Sequence, residues 1–304
     1  MLKKIDKYIT NPKLVINALS YFYFFNFLSD EKYLKLKYYI YFNKKLDLDN
    51  PKTFNEKMQW LKLYNREDIY TTMVDKYEVK KYVSKIIGEE YIIPTIGIYN
   101  KFEDIDFENL PDQFVIKCTH DSGGIVICKS KKDLNIAKTK KIINKYLKRK
   151  YYCIHREWPY KNVKPRIIIE KYVEDKNNKS MRDYKFFCFN GEVKYCLVCS
   201  DRETELKETF FDLNWNKTEF KRPNHDIDLT IEKPKNYDLM IQLANTLSKN
   251  IPFVRIDFYE INGQVYFGEI TFYPASGFTK FEPEEWDYKL GKLINLEKVN
   301  IDEK

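Results

Sequence analysis

Two Asn-Gly dipeptides, Asn190-Gly191 and Asn262-Gly263, constrain this chain more than any other feature. Each sits between two short runs rich in apolar, β-branched and aromatic residues. Asn and Gly tolerate the left-handed backbone that a two-residue hairpin turn requires at its central positions. Tyr184–Phe189 and Val193–Cys199 are therefore expected to fold back on each other, as are Val254–Tyr259 and Gln264–Ile270. Only 9 of the 304 residues are glycine, which makes each Gly-bearing turn more informative. A third hairpin is predicted where Asp121-Ser122-Gly123-Gly124 separates Phe114–Cys118 from Ile125–Cys128. Ile167–Val173 reads as one more apolar strand, running into a polar linker over 174–180.

Helical patterns lie between and before these strands. The first 70 residues read as helices. Asn50-Pro51-Lys52-Thr53 forms a turn, and Thr53 with Glu56 three residues on makes a capping box. Phe54, Met58, Leu61 and Leu63 then follow a broadly helical rhythm. Further helices are predicted over Asp75–Ile87, stopped by Gly88, over the basic stretch Asp133–Lys150, and over Tyr237–Lys249. Pro94 opens an extended segment, Thr95–Tyr99. The fold class is α+β, with antiparallel sheets and helices packed on them.

With 43% hydrophobic and 32% charged residues, the chain can bury a large core and keep a solvated surface. The formal charge of +8 fits a partner rich in phosphate or carboxylate, or simply a lysine-rich surface. No basic run is long enough for a nucleic-acid tail, and no nucleic-acid-binding motif is present. Six cysteines lack zinc spacing, and no signal peptide is read, so a reducing cytoplasm is expected. Val15–Leu28 is too short and too polar to span a bilayer. It reads as a buried aromatic helix, or as a membrane-docking segment aided by Lys32, Lys35 and Lys37.

Chemistry concentrates in the late strands. Asp257 and Glu269 fall on the two strands joined by Asn262-Gly263, so their side chains can converge. Clustered carboxylate oxygens suit Mg²⁺, which usually shares its shell with substrate phosphates. Arg255 points to the same side of its strand as Asp257 and can neutralise charge on a transferring phosphoryl group. Lys117 ends the strand before the Gly-rich tip, whose backbone N–H groups can cover phosphates. Lys76 and Lys185 are further phosphate candidates. Glu170-Lys171-Tyr172-Val173 ends a strand and can present backbone groups to an adenine edge. His120, His155 and His225 are too scattered for a metal site, Cys118 reads as a core thiol, and no serine nucleophile motif is present.

The order of these motifs resembles the ATP-grasp superfamily, over about residues 75–280. More narrowly, NPKTFNEKMQWLKLYN, KCTHDSGGIVICKS, DYKFFCFNGEVKY and GEITFYPASGFTKFEPEEWD resemble the TupA-like ATP-grasp family, associated with teichuronopeptide, capsule and other surface-polysaccharide biosynthesis. The resemblance implies two antiparallel β subdomains clamping ATP. A helical region over 1–74 would precede an ATP-grasp domain over 75–304, with a nucleotide-clamping part at about 100–172 and a metal and catalytic part at about 173–290. It implies that Lys76 and Lys117 contact phosphates and that Ser122, Gly123 and Gly124 cover them. Glu170, Lys171, Tyr172 and Val173 would form the adenine hinge, and Asp183 would hold the ribose. Lys185 and Arg255 would act at the reacting phosphate, and Asp257, Glu269 and Thr271 would bind Mg²⁺. Thr271 stands where many relatives have Asn, and the helical N-terminal region lacks the usual open α/β domain.

The implied activity is an ATP- and Mg²⁺-dependent carboxylate–amine ligase, acting in the cytoplasm through an acyl phosphate. Its partners would be ATP, a uronic or amino acid and an amine, with peripheral association to a membrane-bound polysaccharide assembly and no nucleic acid. Two alternatives are a sugar or polysaccharide kinase on the same scaffold and a glycosyltransferase-type protein. The latter would use Asp226-Ile227-Asp228, which otherwise reads as a solvated loop.

Overall fold

In the computed structural model, residues 12–175, 182–200, 206–223, 225–228, 230–297 and 299 are described. Part of the predicted linker, 176–180, lies outside them. Helices come first: α1 (Pro12–Tyr21), α2 (Asp30–Phe42), α3 (Phe54–Tyr64), α4 (Ile69–Val74) and α5 (Glu78–Ile87). Next are β1 (Thr95–Tyr99), β2 (Phe114–Cys118), β3 (Ile125–Cys128), α6 (Ile136–Leu147), α7 (Tyr152–His155) and β4 (Ile167–Lys171). The C-terminal half contains β5 (Asp183–Phe189), β6 (Glu192–Ser200), β7 (Lys207–Phe211), α8 (Tyr237–Ser248), β8 (Phe253–Ile261), β9 (Gln264–Thr271) and α9 (Glu285–Lys292).

The strands form two antiparallel sheets, one in the order β1-β4-β2-β3 and one in the order β7-β6-β5-β8-β9. Both Asn-Gly turns take the left-handed backbone expected of them: Asn190 and Gly191 have φ of 51° and 87°, and Asn262 and Gly263 have 51° and 82°.

Each sheet has its own apolar core. The smaller sheet packs Phe114, Ile116, Ile167 and Ile169 against Ile143 of α6. The larger sheet buries Phe186, Ile256 and Phe258 on the side covered by Tyr237 and Met240 of α8. The N-terminal helices share this second core through Tyr33, Leu34, Phe54, Met58 and Leu61. The Thr53–Glu56 capping box forms in full at the start of α3, and Phe54 meets Phe253 edge-on at 4.9 Å.

Several local expectations change. The helix predicted from Asp75 begins only at Glu78, because Asp75 turns its carboxylate onto the N–H groups of Tyr77 and Glu78. The basic helix is trimmed to Ile136–Leu147. The aromatic segment is not a buried helix: α1 stops at Tyr21 and a 3₁₀ turn at Phe24–Phe27 leaves Phe22, Phe24 and Phe27 exposed. Lys37, predicted to flank it on the surface, is fully buried, and Lys35 pairs with Glu31. All six cysteines are free thiols, and no described helix is long and apolar enough to cross a membrane.

Candidate functional site

Three of the predicted residues fall in one row across the larger sheet. Lys185 on β5 lies opposite Asp257 on β8, and Asp257 lies opposite Glu269 on β9. This row depends on a bulge. From the Asn262-Gly263 turn outward, Ile261 pairs with Gln264, Tyr259 with Tyr266 and Phe258 with Phe267. Continued without a break, that register would set Asp257 opposite Gly268 and turn Glu269 to the other face. The register instead shifts between Asp257 and Phe258, and Gly268 is the extra residue. Glu269 therefore comes round to the face of Asp257. Glycine suits the position, since an added Cβ would lie 3.1 Å from the Asp257 carbonyl oxygen.

Arg255, two residues from Asp257, joins the row. Its guanidinium donates to both Asp257 carboxylate oxygens at 2.7 Å, to Glu269 Oε1 at 2.7 Å and to Thr271 Oγ1 at 3.0 Å. Lys185 Nζ pairs with Asp257 from the other side. Burial alone would push the Glu269 carboxyl up, but Arg255, then Lys185 and Lys76, hold it down at about 2. Asp257 is buried and forms ion pairs with both Lys185 and Arg255.

The row faces a cleft of about 210 Å³ between the two sheets. Lys76, Lys117, Ser122, Glu170, Asp183, Lys185, Asp257 and Glu269 all line it, together with an apolar wall that includes Val79, Ile92, Ile93 and Phe267. Three larger depressions, two of about 500 Å³ and one of about 670 Å³, lie away from these residues. Thr271 and Arg255 stand directly behind the lining, bonded to Glu269.

On the opposite wall, Glu170 is buried between Lys117 at 2.5 Å and Lys80. Burial would raise its carboxyl, but Lys117 and Lys80 outweigh that and lower it. The side chain expected at an adenine hinge is thus held in an ion triad. The Lys171 N–H is also engaged, donating to the Pro94 carbonyl, so it is not free for a ligand. Tyr172 and Val173 follow beyond the end of β4. Asp183, buried at the start of β5, opens the cleft's far side.

The Gly-rich tip is tied down. Asp121 accepts from the Gly123 N–H at 2.8 Å and pairs with Arg149 at the end of α6. Lys76 Nζ donates to the Asp121 carbonyl, linking tip and cleft floor. Burial lowers the Lys76 ammonium, with Glu269 opposing. Gly123 and Gly124 pack on Tyr146, and an added Cβ at either would come within 2.6 Å of that side chain. Gly124 also has φ of +66°.

Sequence reasoning missed Lys80, Arg149 and the Gly268 bulge. Lys80 follows Lys76 by four residues, a spacing that projects side chains the same way. An isolated glycine inside a strand pattern was the available sign of the bulge. Cys118 is a core thiol as expected, its Sγ directed at the Ile143 carbonyl and its acidity weakened by burial to about 12. Asp228 departs from the solvated-loop reading. It is buried and binds Ser200 and Thr230, which pin the loop to the sheet edge.

Among the described residues, no cluster of three or more His, Cys, Asp or Glu side chains forms a metal cage. Two carboxylates and one hydroxyl, from Asp257, Glu269 and Thr271, fit an ion that takes its remaining ligands from phosphate and water.

The sequence model of the TupA-like ATP-grasp family matches residues 56–295. The chain belongs to that family. As a TupA-like ATP-grasp protein it is an enzyme of the carboxylate–amine ligase class, whose members bind ATP. No curated protein sequence matches it. Among solved structures it is similar to D-alanine–D-alanine ligase from Helicobacter pylori, at 15% identity and a TM-score of 0.44, over 82% of this chain and 69% of that one. It is also similar to the Bacillus anthracis D-alanine–D-alanine ligase complexed with ATP, at 15% identity and a TM-score of 0.43, over 73% and 65%. A third is N5-carboxyaminoimidazole synthase from Aspergillus clavatus in complex with ADP, at 11% identity and a TM-score of 0.37, over 66% and 44%. The chain thus spans less than two thirds of the last two.

Proposed function

We propose that this TupA-like protein uses Mg²⁺ and ATP to activate a small carboxylic acid as an acyl phosphate and joins it to an amine. The strongest support is the single row Lys185–Asp257–Glu269, backed by Arg255 and facing Lys76 and Lys117 across one cleft.

The residue roles follow from charge and position. The apolar wall at Val79, Ile92 and Ile93 suits a flat base, with Glu170 beside it and Asp183 within reach of a ribose; Tyr172 and Val173, just past the end of β4, would border the base. Lys76 and Lys117 supply positive charge for the phosphates, and Ser122, Gly123 and Gly124 cover them. Asp257, Glu269 and Thr271 would hold Mg²⁺, which when bound would neutralise charge on the terminal phosphates. The Arg255 guanidinium, bonded to Asp257 and Glu269, and Lys185 beside it would stabilise charge on the transferring phosphoryl group. Catalysis by such a set is mainly positioning and electrostatics.

The acid is a uronic or amino acid destined for a surface polysaccharide such as a capsule, in line with the family resemblance and the net charge of +8. We place the enzyme in the cytoplasm, with residues 1–74 as a helical region ahead of an ATP-grasp domain over 75–304.

A phosphate-release screen pairing uronic and amino acids with amines tests this. Release is expected only when acid, amine, Mg²⁺ and ATP are all present. Transfer of phosphate to a sugar without any amine would instead identify a kinase.

A further inference from the structure

The turn after α1 exposes a cluster of large aromatic rings that the cleft does not use. Phe22 is 82% exposed, Phe27 75% and Phe24 57%, and all three lie within six residues. Folded chains rarely leave contiguous aromatic surface uncovered without an interaction to serve.

The backbone beneath these rings is fixed. Phe25 turns inward against Tyr33, with ring centroids 5.6 Å apart. Arg156 donates to the Phe25 carbonyl at 3.0 Å, and the Lys150 N–H donates to Tyr23 Oη at 2.8 Å. The rings are therefore presented outward from a built turn.

The bond from Lys150 also sets the turn beside the end of α6, the most one-sided charge in the sequence. From Leu134 to Arg156 there is no acidic residue, while Lys138, Lys140, Lys141, Lys145, Lys148, Arg149, Lys150 and Arg156 are basic. Lys145, Lys148 and Lys150 are exposed. Within that run Lys140 pairs with Glu103, Arg149 with Asp121 and Arg156 with Asp30, which leaves Lys145, Lys148 and Lys150 as the exposed charge beside the turn.

We propose that the Tyr21–Phe27 turn and the basic end of α6 form one docking surface for an anionic lipid bilayer. Aromatic rings on a convex turn can enter the interfacial layer while adjacent lysines meet the headgroup charge. The flanking positive charge of Lys145, Lys148 and Lys150 selects an anionic surface. This inference does not depend on the ligase reading.

The test is co-sedimentation of the full chain with vesicles. Binding is expected to vesicles of mixed phosphatidylglycerol and phosphatidylcholine, weakening as salt rises, with little binding to phosphatidylcholine alone. A Phe22→Ser, Phe27→Ser double variant should lose partitioning by on the order of tenfold, as should Lys148→Glu with Lys150→Glu. Unchanged thermal melting of both variants would assign the loss to the surface rather than to unfolding. Failure of the wild type to bind anionic vesicles would overturn the proposal. So would full binding by the Phe22→Ser, Phe27→Ser variant, or a self-association of the wild type that this variant abolishes without any lipid binding.

Discussion

Glu269 carries a charge whose worth to the fold changes with pH. Its carboxyl ordinarily titrates at 4.5; burial pushes it up, but Arg255, Lys185 and Lys76 bring it to about 2. A folded value below the unfolded one adds stability above the unfolded value, and that contribution fades as pH falls towards the folded one. The ligand-free wild type should therefore lose stability between pH 4.5 and about 2 more steeply than Glu269→Gln, as read from urea midpoints. Equal slopes would show that Glu269 is not held by those cations. Asp257 is the more demanding neighbour, since it is in direct ion-pair contact with Lys185 and shares Arg255 with Glu269. Asp257→Asn should cost the ligand-free protein about 3 kcal/mol in urea unfolding, because it removes the direct partner of the poorly solvated Lys185 and leaves Arg255 with Glu269 alone. Both carboxylates could be singled out from charged residues inside apolar strands. What the sequence did not reveal is that Glu170, read as a hinge residue, is locked between two lysines, because Lys80 comes from a helix distant in the chain.

At the scale of elements, turn chemistry was legible and register was not. Asn190-Gly191 and Asn262-Gly263 allow only tight hairpins, and both formed. The face on which Glu269 lies depends instead on one extra residue, Gly268, which strict alternation would have placed differently. Deleting Gly268 should remove the bulge and leave Glu269 opposite Asp257 in unbroken register, so Mg-ATP affinity should stay within about threefold of the wild type in a calorimetric titration. A loss of about tenfold or more would show that Gly268 is not simply the extra residue that brings Glu269 round. The Gly-rich tip makes a second case. Gly123→Ala drives a Cβ into Tyr146, so the tip must lift from α6, and its amide hydrogens should exchange faster than in the wild type. Helix α3 anchors the other side of the molecule. Asn55, Gln59 and Lys62 lie along one buried face and bond the backbone of the 276–279 segment that follows β9. Nothing in the sequence states what covers those polar residues, so this contact was not legible there.

Taken whole, the molecule is two sheets with separate cores and a charged cleft between them. The α+β class and the antiparallel sheets followed from hairpin signals and helix periods. The junction did not, because it forms between residues more than 100 positions apart, such as Lys76 and Glu269. A ligand that touches both walls should couple the two cores, and binding at a hundredfold excess over Kd stabilises by about 2.7 kcal/mol. The central claim is that Asp257, Glu269 and Arg255 form the phosphate and metal end of an ATP site. The direct measurement is calorimetric titration of the full chain with ATP, with and without Mg²⁺, on wild type and Glu269→Gln. The account predicts Mg²⁺-dependent binding in the wild type and a loss of about tenfold or more in the variant, equivalent to about 1.4 kcal/mol. Equal affinity in the two proteins, or binding indifferent to Mg²⁺, would contradict it.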